Sequence, residues 1–486
     1  MPHGSKVAVG VLVASACAGK PAAVPQVPIA WSSPSGLRFV WYEHELHPIG
    51  QPIAVGDVAV GIVSSDRHAF VVGIDPATGH SLWRQQVSAS RISAGEKIVV
   101  IPLGDDKVAY LRPPYPDVED AQLVVADVHT GKDLAASPPA LFTSPPIVCA
   151  NGKDVCAIIC TGQRPPKDGA RGAPSLSSAG SQLLFRLDLA TGEALAQNAL
   201  REWTSFLDPT GLALLGDSPG TSLGLLRGGA PQWLIPGRTA FPADFTIRAW
   251  EWQLFSDPHV FVGSMYGRYT EFDGKRALDL ATGTAMAGLS ERTGKVLWRD
   301  VGSGFHCNLD HGVPVRCRAS GLLVYVDGLA TVRDFQATLE GFDITTGRTT
   351  WSAPMGAAKS LQPFERPAIA GPHEVVIDGP AGPVVLDYTT GHIEPPVPGA
   401  TFWCRTVVRF ELSPPVEASR ASWFGARHGW TYERFGGDHA FVCDASGKPA
   451  GTLPSIAATL AAGARIGDHA VIATADGYLG FRVPPR

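Results

Sequence analysis

The chain has 486 residues, of which 17% are charged, with 54 Gly, 41 Pro and a formal net charge of −5. This balance excludes a basic nucleic-acid-binding protein and a polybasic membrane-surface protein, and the abundance of Gly and Pro fits a turn-rich β protein. Length alone suggests about three domains, but internal repeats replace that expectation with a single one.

Residues 1–17 read as an export signal. Lys6 supplies a basic start, residues 7–13 are apolar, and Ala14-Ser15-Ala16 are small residues before Cys17. The apolar run is too short to span a bilayer. The pattern resembles a bacterial lipobox, which makes Cys17 the lipidated residue, although Ala14 stands where Leu is usual. The alternative is an unstructured N-terminus or a misplaced start codon. Residues 18–28 read as a linker, and 29–486 as one folded domain. Glu43-His44-Glu45-Leu46-His47 is the nearest thing to a metal cluster, since a strand would place Glu43, Glu45 and His47 on one face. With no second ligand set in view, it reads as an exposed polar strand.

One phrase then recurs along the chain. It reads Asp75-Pro76-Ala77-Thr78-Gly79 and returns as Asp127 to Gly131, Asp188 to Gly192, Ser290 to Gly294, Asp343 to Gly347 and Asp387 to Gly391. Asp444 to Gly447 is a cruder copy, and Thr221 to Gly229 fills a gap as a degenerate one. Leu278 to Gly283 also matches but lies too close to Gly294 to be separate. The Asp carboxylate accepts backbone N–H bonds and nucleates a turn, and the closing Gly suits a left-handed residue after it. Apolar, strand-like residues precede each turn. Trp83, Trp298 and Trp351 stand four residues after their Gly, as Trp233 does after Gly229. That offset predicts that the indoles pack between neighbouring units.

The spacing of the turns is about fifty residues. Small antiparallel sheets repeated at this period predict an all-β fold, a β-propeller. The turn units and an unfinished C-terminal unit over residues 466–483 total nine, while propellers usually carry four to eight blades. The expectation is therefore eight four-stranded blades, with a weak unit near Gly229 or Gly447 as an insertion or irregular strand pair. A strand from residues 29–42 is expected to complete the C-terminal blade, closing the ring and hiding its edges. Residues 456–462 read as a short helical turn. Residues 105–120 read as a loop lining one face, and residues 163–181 as a surface insert. Trp250, Glu251 and Trp252 read as core or as a binding loop.

Three cysteine pairs read as disulfides. Cys149 and Cys156 flank one hairpin, Cys307 and Cys317 another, and Cys404 and Cys443 fall within one unit. Disulfides imply an oxidising compartment; buried free thiols are the alternative. His306, Cys307, Asp310 and His311 are types that serve nucleophilic catalysis, but the expected disulfide and turn position argue against that use.

The repeat phrase, with Ser144-Pro145-Pro146-Ile147-Val148 and Ala475-Asp476-Gly477-Tyr478-Leu479 around it, resembles the pyrroloquinoline-quinone-like propeller repeat over about residues 50–484. The family includes quinoprotein alcohol dehydrogenases, the propeller lipoprotein of the outer-membrane barrel assembly machinery, and bacterial kinase sensor domains. The resemblance implies a fold and leaves function open. Quinoprotein dehydrogenases carry adjacent cysteines and a Ca²⁺ site; this sequence has no Cys-Cys pair and no matching oxygen-ligand cluster. The expectation is thus a non-catalytic scaffold, without cofactor or metal, that binds protein partners in the bacterial cell envelope. It is expected to be exported, monomeric and attached through Cys17, with no nucleic-acid role. The alternatives are a quinone-dependent dehydrogenase, another enzyme with its site in the central funnel, and a ligand-sensing module.

Overall fold

Antiparallel pairing sorts the strands of the computed structural model into eight sheets. The structure describes residues 37–65, 68–87, 98–113, 121–142, 144–149, 151–161, 181–197, 204–206, 210–215, 222–227, 230–245, 251–267, 269–305, 313–326, 329–355, 368–411 and 434–483. Blade 1 is built on Ile53–Val55, Val58–Ser65, His68–Ile74 and Ser81–Val87. Blade 2 comprises Val100–Leu103, Lys107–Arg112, Gln122–Asp127 and Asp133–Ala136. Blade 3 is centred on Val155–Thr161, Ser181–Leu187 and Ala194–Gln197, and blade 4 on Leu212–Leu215, Ser222–Arg227 and Ala230–Pro236. Blade 5 has Glu251–Phe255, Val260–Tyr266, Thr284–Ser290 and Val296–Val301; blade 6 has Val315–Val326, Leu329–Phe342 and Thr349–Pro354. Blade 7 runs from Ala368–Gly371 through Glu374–Gly379 and Gly382–Asp387 to Ile393–Glu394. The protein is an eight-bladed β-propeller.

Blade 8 joins the two ends of the chain. Ala464–Ile466, His469–Thr474 and Gly477–Arg482 supply three strands, and Arg38–Glu43 adds the outermost, with Arg38 opposite Arg482 and Glu43 opposite Tyr478. First strands of neighbouring blades lie against one another, Ile53–Val55 touching both Ala464–Ile466 and Val100–Leu103. They therefore line the axis, and the fourth strands face outward.

Both faces of the middle strands of blade 2 are covered by neighbouring blades. Lys107–Arg112 and Gln122–Asp127 have four consecutive buried residues each, which is why these strands read as continuous apolar runs rather than alternating ones. Fourth strands are far more exposed, as in Ser81–Val87, where only Trp83 and Val87 are buried. Between blades 1 and 2 the core joins Val60, Val71 and Trp83 to Val108, Tyr110 and Val124.

Of the two weak units, the one near Gly229 precedes a regular fourth strand, and the one at Gly447 is the irregular pair. The hairpin Phe402–Glu411 and Arg434–Cys443 joins the inner edge of blade 7 through a bridge between Ile369 and Trp403. Trp403 is fully buried and its Nε1 donates to Thr459 Oγ1 at 3.0 Å. Thr459 belongs to the short helix Ile456–Ala462, whose N-terminus Ser455 caps by accepting from the Ala458 N–H. This assembly fills the space between blades 7 and 8.

Two expectations need correction. Residues 105–120 are not one loop: Lys107–Arg112 is the second strand of blade 2, and Tyr110 is buried in it. Covered on both faces, it gains more from pairing and burial than its Tyr and Arg suggest. Nor do Glu43, Glu45 and His47 share one strand. Pairing ends at Glu43, whose carboxylate turns back to accept the Glu45 N–H at 2.8 Å. A hairpin that sequence reading missed, Tyr269–Phe272 with Lys275–Asp279, leaves blade 5 and pairs with blade 6 through Leu278 and Leu323. The extra copy of the phrase at its exit folds as one helical turn, capped by Asp279 accepting from the Ala281 N–H.

Candidate functional site: turn face, tryptophan clasps and outer rim

Every blade runs in the same direction, so the repeated turns emerge together on one face. In each described turn the Gly N–H donates to the carbonyl of the turn's first residue, at 2.8 Å for Gly79 to Asp75, Gly347 to Asp343 and Gly294 to Ser290. Asp127 Oδ1 accepts from the His129 and Thr130 N–H groups and from Thr130 Oγ1, at 3.2, 2.9 and 2.7 Å. The Thr hydrogen bond is the main cause that holds Asp127, and likewise Asp343, below the usual carboxylate range. In Asp188 the backbone N–H groups of Thr191 and Ala190 do this, and in Asp444 the Ser446 hydroxyl. At Asp75 and Asp387 partial burial pushes upward but is outweighed by the Thr78 and Thr389 bonds. These carboxylates are engaged in their own turns.

The tryptophans link blades. Trp83 Nε1 donates to the Val128 carbonyl of blade 2 at 2.5 Å, and Trp298 Nε1 to Ile344 of blade 6 at 2.7 Å. Trp233 Nε1 donates to Glu291 of blade 5 at 2.6 Å. The acceptor always follows the first residue of the next turn. The ring lies on that turn's Gly. Gly347 has φ 68°, and a methyl group there would collide with Trp298, so left-handed backbone and close approach both require Gly. Gly131 is covered by Trp83, Gly294 by Trp233 and Gly391 by Trp351. Trp41 does the same over Gly79, and its Nε1 donates to Pro76 at 2.9 Å. Gly192 and Gly447 have open space at the corresponding position.

Charged ties accompany the clasps. Between blades 5 and 6, Arg316, 2% exposed, pairs with Asp300 and Glu340 at 3.0 Å each, while its guanidinium also donates to Gly347 O and Thr349 Oγ1. Arg318 holds the same two acids at 2.8 and 3.0 Å. Burial pushes Glu340 up, but the bonds from Arg318 and Arg316 win and hold it low. Glu291 joins Arg227 of blade 4 to His259 at 2.8 Å each. These residues are occupied with one another, an arrangement that stiffens the ring.

Cys149 and Cys156 form a disulfide, as do Cys404 and Cys443. Cys317 is disulfide-bonded; Cys307, its expected partner, lies outside the described residues, as do Cys17, His306, Asp310, His311 and Trp250. Trp252 packs edge-on against Phe241 in the core. Among the described residues no group of three or more His, Cys, Asp and Glu is placed to hold a metal, and no helix is long and apolar enough to cross a membrane.

The outer rim carries a pattern that sequence reading missed. Leu82, Leu134 and Leu195 each stand three residues after their turn Gly, and Val40 occupies the equivalent place before Trp41. They are 46%, 51%, 37% and 42% exposed. These four lie on the consecutive blades 8, 1, 2 and 3. In blades 4, 6 and 7 the position holds exposed Gln232, Thr350 and Glu394, and in blade 5 Leu297 is half-buried. At this one position the ring is aliphatic on one side and mostly polar on the other, while elsewhere on their outer strands blades 4 and 5 expose Leu234 and Val301, at 52% and 46%. The signal was present in the sequence as the residue before each Trp position.

No protein-family model and no curated protein matches the chain. Among solved structures it is similar to BamB from Moraxella catarrhalis, with 12% identity, 92% of this chain and 99% of that one covered, and a TM-score of 0.31. It is also similar to quinohemoprotein alcohol dehydrogenase ADHIIG from Pseudomonas putida HK5 (12% identity, 79% and 73% covered, TM-score 0.35). A third is the β-propeller domain of the Trilobed protease from Pyrococcus furiosus (10% identity, 73% and 96% covered, TM-score 0.32). The eight-blade assignment rests on the strand pairing of this chain itself.

Proposed function

We propose that the protein is a non-catalytic scaffold that binds protein partners of the bacterial cell envelope through its outer rim. The observation that carries this reading is the row of exposed aliphatic side chains, Val40, Leu82, Leu134 and Leu195, on the outermost strands of four consecutive blades. Those strands also present unpaired backbone edges, to which a partner strand adds by hydrogen bonding while the aliphatic positions select it. Export is part of the proposal. The Cys149–Cys156 and Cys404–Cys443 disulfides favour an oxidising compartment, and the lipobox-like residues before Cys17 favour a lipid anchor. The test is expression of Leu82→Glu/Leu134→Glu in a bacterial host with a working envelope. The double variant should fold and lose partner complexes that a Thr350→Glu control keeps. Cys17→Ala should move the protein out of the membrane fraction. Unchanged complexes in the double variant would remove the rim from the account.

A further inference from the structure

The clasps divide the ring unevenly. A clasp needs an indole donor, and in four blades the Trp stands directly across from a Gly of its own third strand. The pairs are Trp41 with Gly480, Trp83 with Gly73, Trp298 with Gly288 and Trp351 with Gly341. In blade 4, Trp233 stands across from Leu225. Blades 2 and 3 reverse the sizes. Ala135 faces Val125, and Ala196 faces Phe185. The third-strand side chain fills the volume, and the fourth strand has no indole N–H to send to the next turn. The Gly192 turn of blade 3 accordingly has nothing over it.

Blade 3 thus receives no clasp from blade 2 and sends none to blade 4. The interface of blades 7 and 8, which also lacks a Trp at position 395, is filled instead by Trp403 and the helix Ile456–Ala462. Blade 3 is braced within itself. Cys149–Cys156 staples its first hairpin. Asp154 pairs with Arg186 at 2.8 Å, Arg186 with Asp188 at 3.0 Å, and Asp154 accepts from Asn151 Nδ2 at 2.6 Å.

We propose that blade 3 is the unit at which the ring opens, separating from blades 2 and 4 as one intact piece before any clasped blade moves. Its internal staples keep the sheet together, and the missing clasps lower the cost of parting. One ordinary hydrogen bond shifts an equilibrium about two- to tenfold, and clasps are missing on both sides. Openings of this kind are cooperative units below global unfolding.

Native-state amide exchange of the full chain, followed by mass spectrometry over a urea series, tests this. Val155–Thr161 and Ser181–Leu187 should exchange through an opening at least tenfold more populated than that of Val58–Ser65 and His68–Ile74 in blade 1. Building the missing clasp with Val125→Gly/Ala135→Trp should slow exchange in blade 3 at least fivefold and leave blade 6 unchanged. If that variant does not fold, Trp83→Ala serves in the opposite sense, bringing blade 2 to the exchange rate of blade 3. Equal protection of blades 1 and 3 in the unaltered protein overturns the proposal.

Discussion

Trp41 Nε1 donates to the Pro76 carbonyl at 2.9 Å across the seam where the two ends of the chain meet. The indole also covers Gly79 of blade 1 and Gly480 of its own blade. The N-terminal strand thus does more than supply a missing edge: it carries the clasp of blade 8 and docks it on the first turn of the chain. Gln51 adds a second tie at the seam, exchanging hydrogen bonds with both backbone groups of Ala473 at 2.8 and 2.9 Å.

Removing that clasp should therefore cost more than a surface change on the same strand. Trp41→Ala is expected to destabilise the fold by about 3–5 kcal/mol, the range for deleting a large aromatic from a packed site. Val40→Ala should stay within about 0.5 kcal/mol. Urea denaturation of both variants checks the difference, and equal midpoints would show that the seam is held elsewhere.

The space under each indole should tolerate no addition. Gly341→Ala would drive a methyl group into the Trp351 ring. Overpacking of this kind costs about 1–3 kcal/mol, so the thermal midpoint should fall. Gly451→Ala, which meets nothing within 4 Å, should leave it unchanged.

Acid should weaken the fold in a defined window. Asp75, Asp127, Asp188, Asp343, Asp387, Asp444 and Glu340 are all held below their ordinary values. The unfolded chain then binds protons first as pH falls, so stability rises with pH in this range. The contribution is complete above about pH 5 and disappears as the pH drops through the lowered folded-state values. Urea midpoints between pH 6 and pH 2.5 should show this fall, and Asp343→Asn should make it shallower by the share of one of these seven groups. A midpoint independent of pH over that range would contradict the role given to the turns.

The two disulfides should differ in worth. Cys404 and Cys443 are 39 residues apart, Cys149 and Cys156 only 7. Loop-closure entropy assigns roughly 4 kcal/mol to the longer loop and roughly 2.5 to the shorter. Paired Cys→Ala variants, unfolded in urea under non-reducing conditions, should keep that order.

How much of this was readable from the sequence depended on where the chain repeats itself. The turns at Asp75, Asp127, Asp188, Asp343 and Asp387 were visible because each turn closes locally, with donors and acceptors a few residues apart. The indoles at Trp83, Trp298 and Trp351 followed from a fixed offset to a visible Gly. Trp41 escaped because its blade is split between the chain ends, so no turn precedes it to index the position. The hairpin Tyr269–Phe272 and Lys275–Asp279 escaped because its pairing with blade 6 is set by tertiary contact, not by local pattern. The aliphatic rim was hidden for another reason: exposed Leu82 and buried Val72 look alike until the outer edge of the sheet is known.

The most direct measurement is site-specific photo-crosslinking in a bacterial host, with the reactive residue placed at 82, 134, 350 or 394 in turn. The account predicts adducts of one discrete added mass from positions 82 and 134, and none from 350 and 394. Adducts equally distributed over the four positions, or no adduct from 82 and 134, would contradict a scaffold that works through Leu82 and Leu134 on its rim.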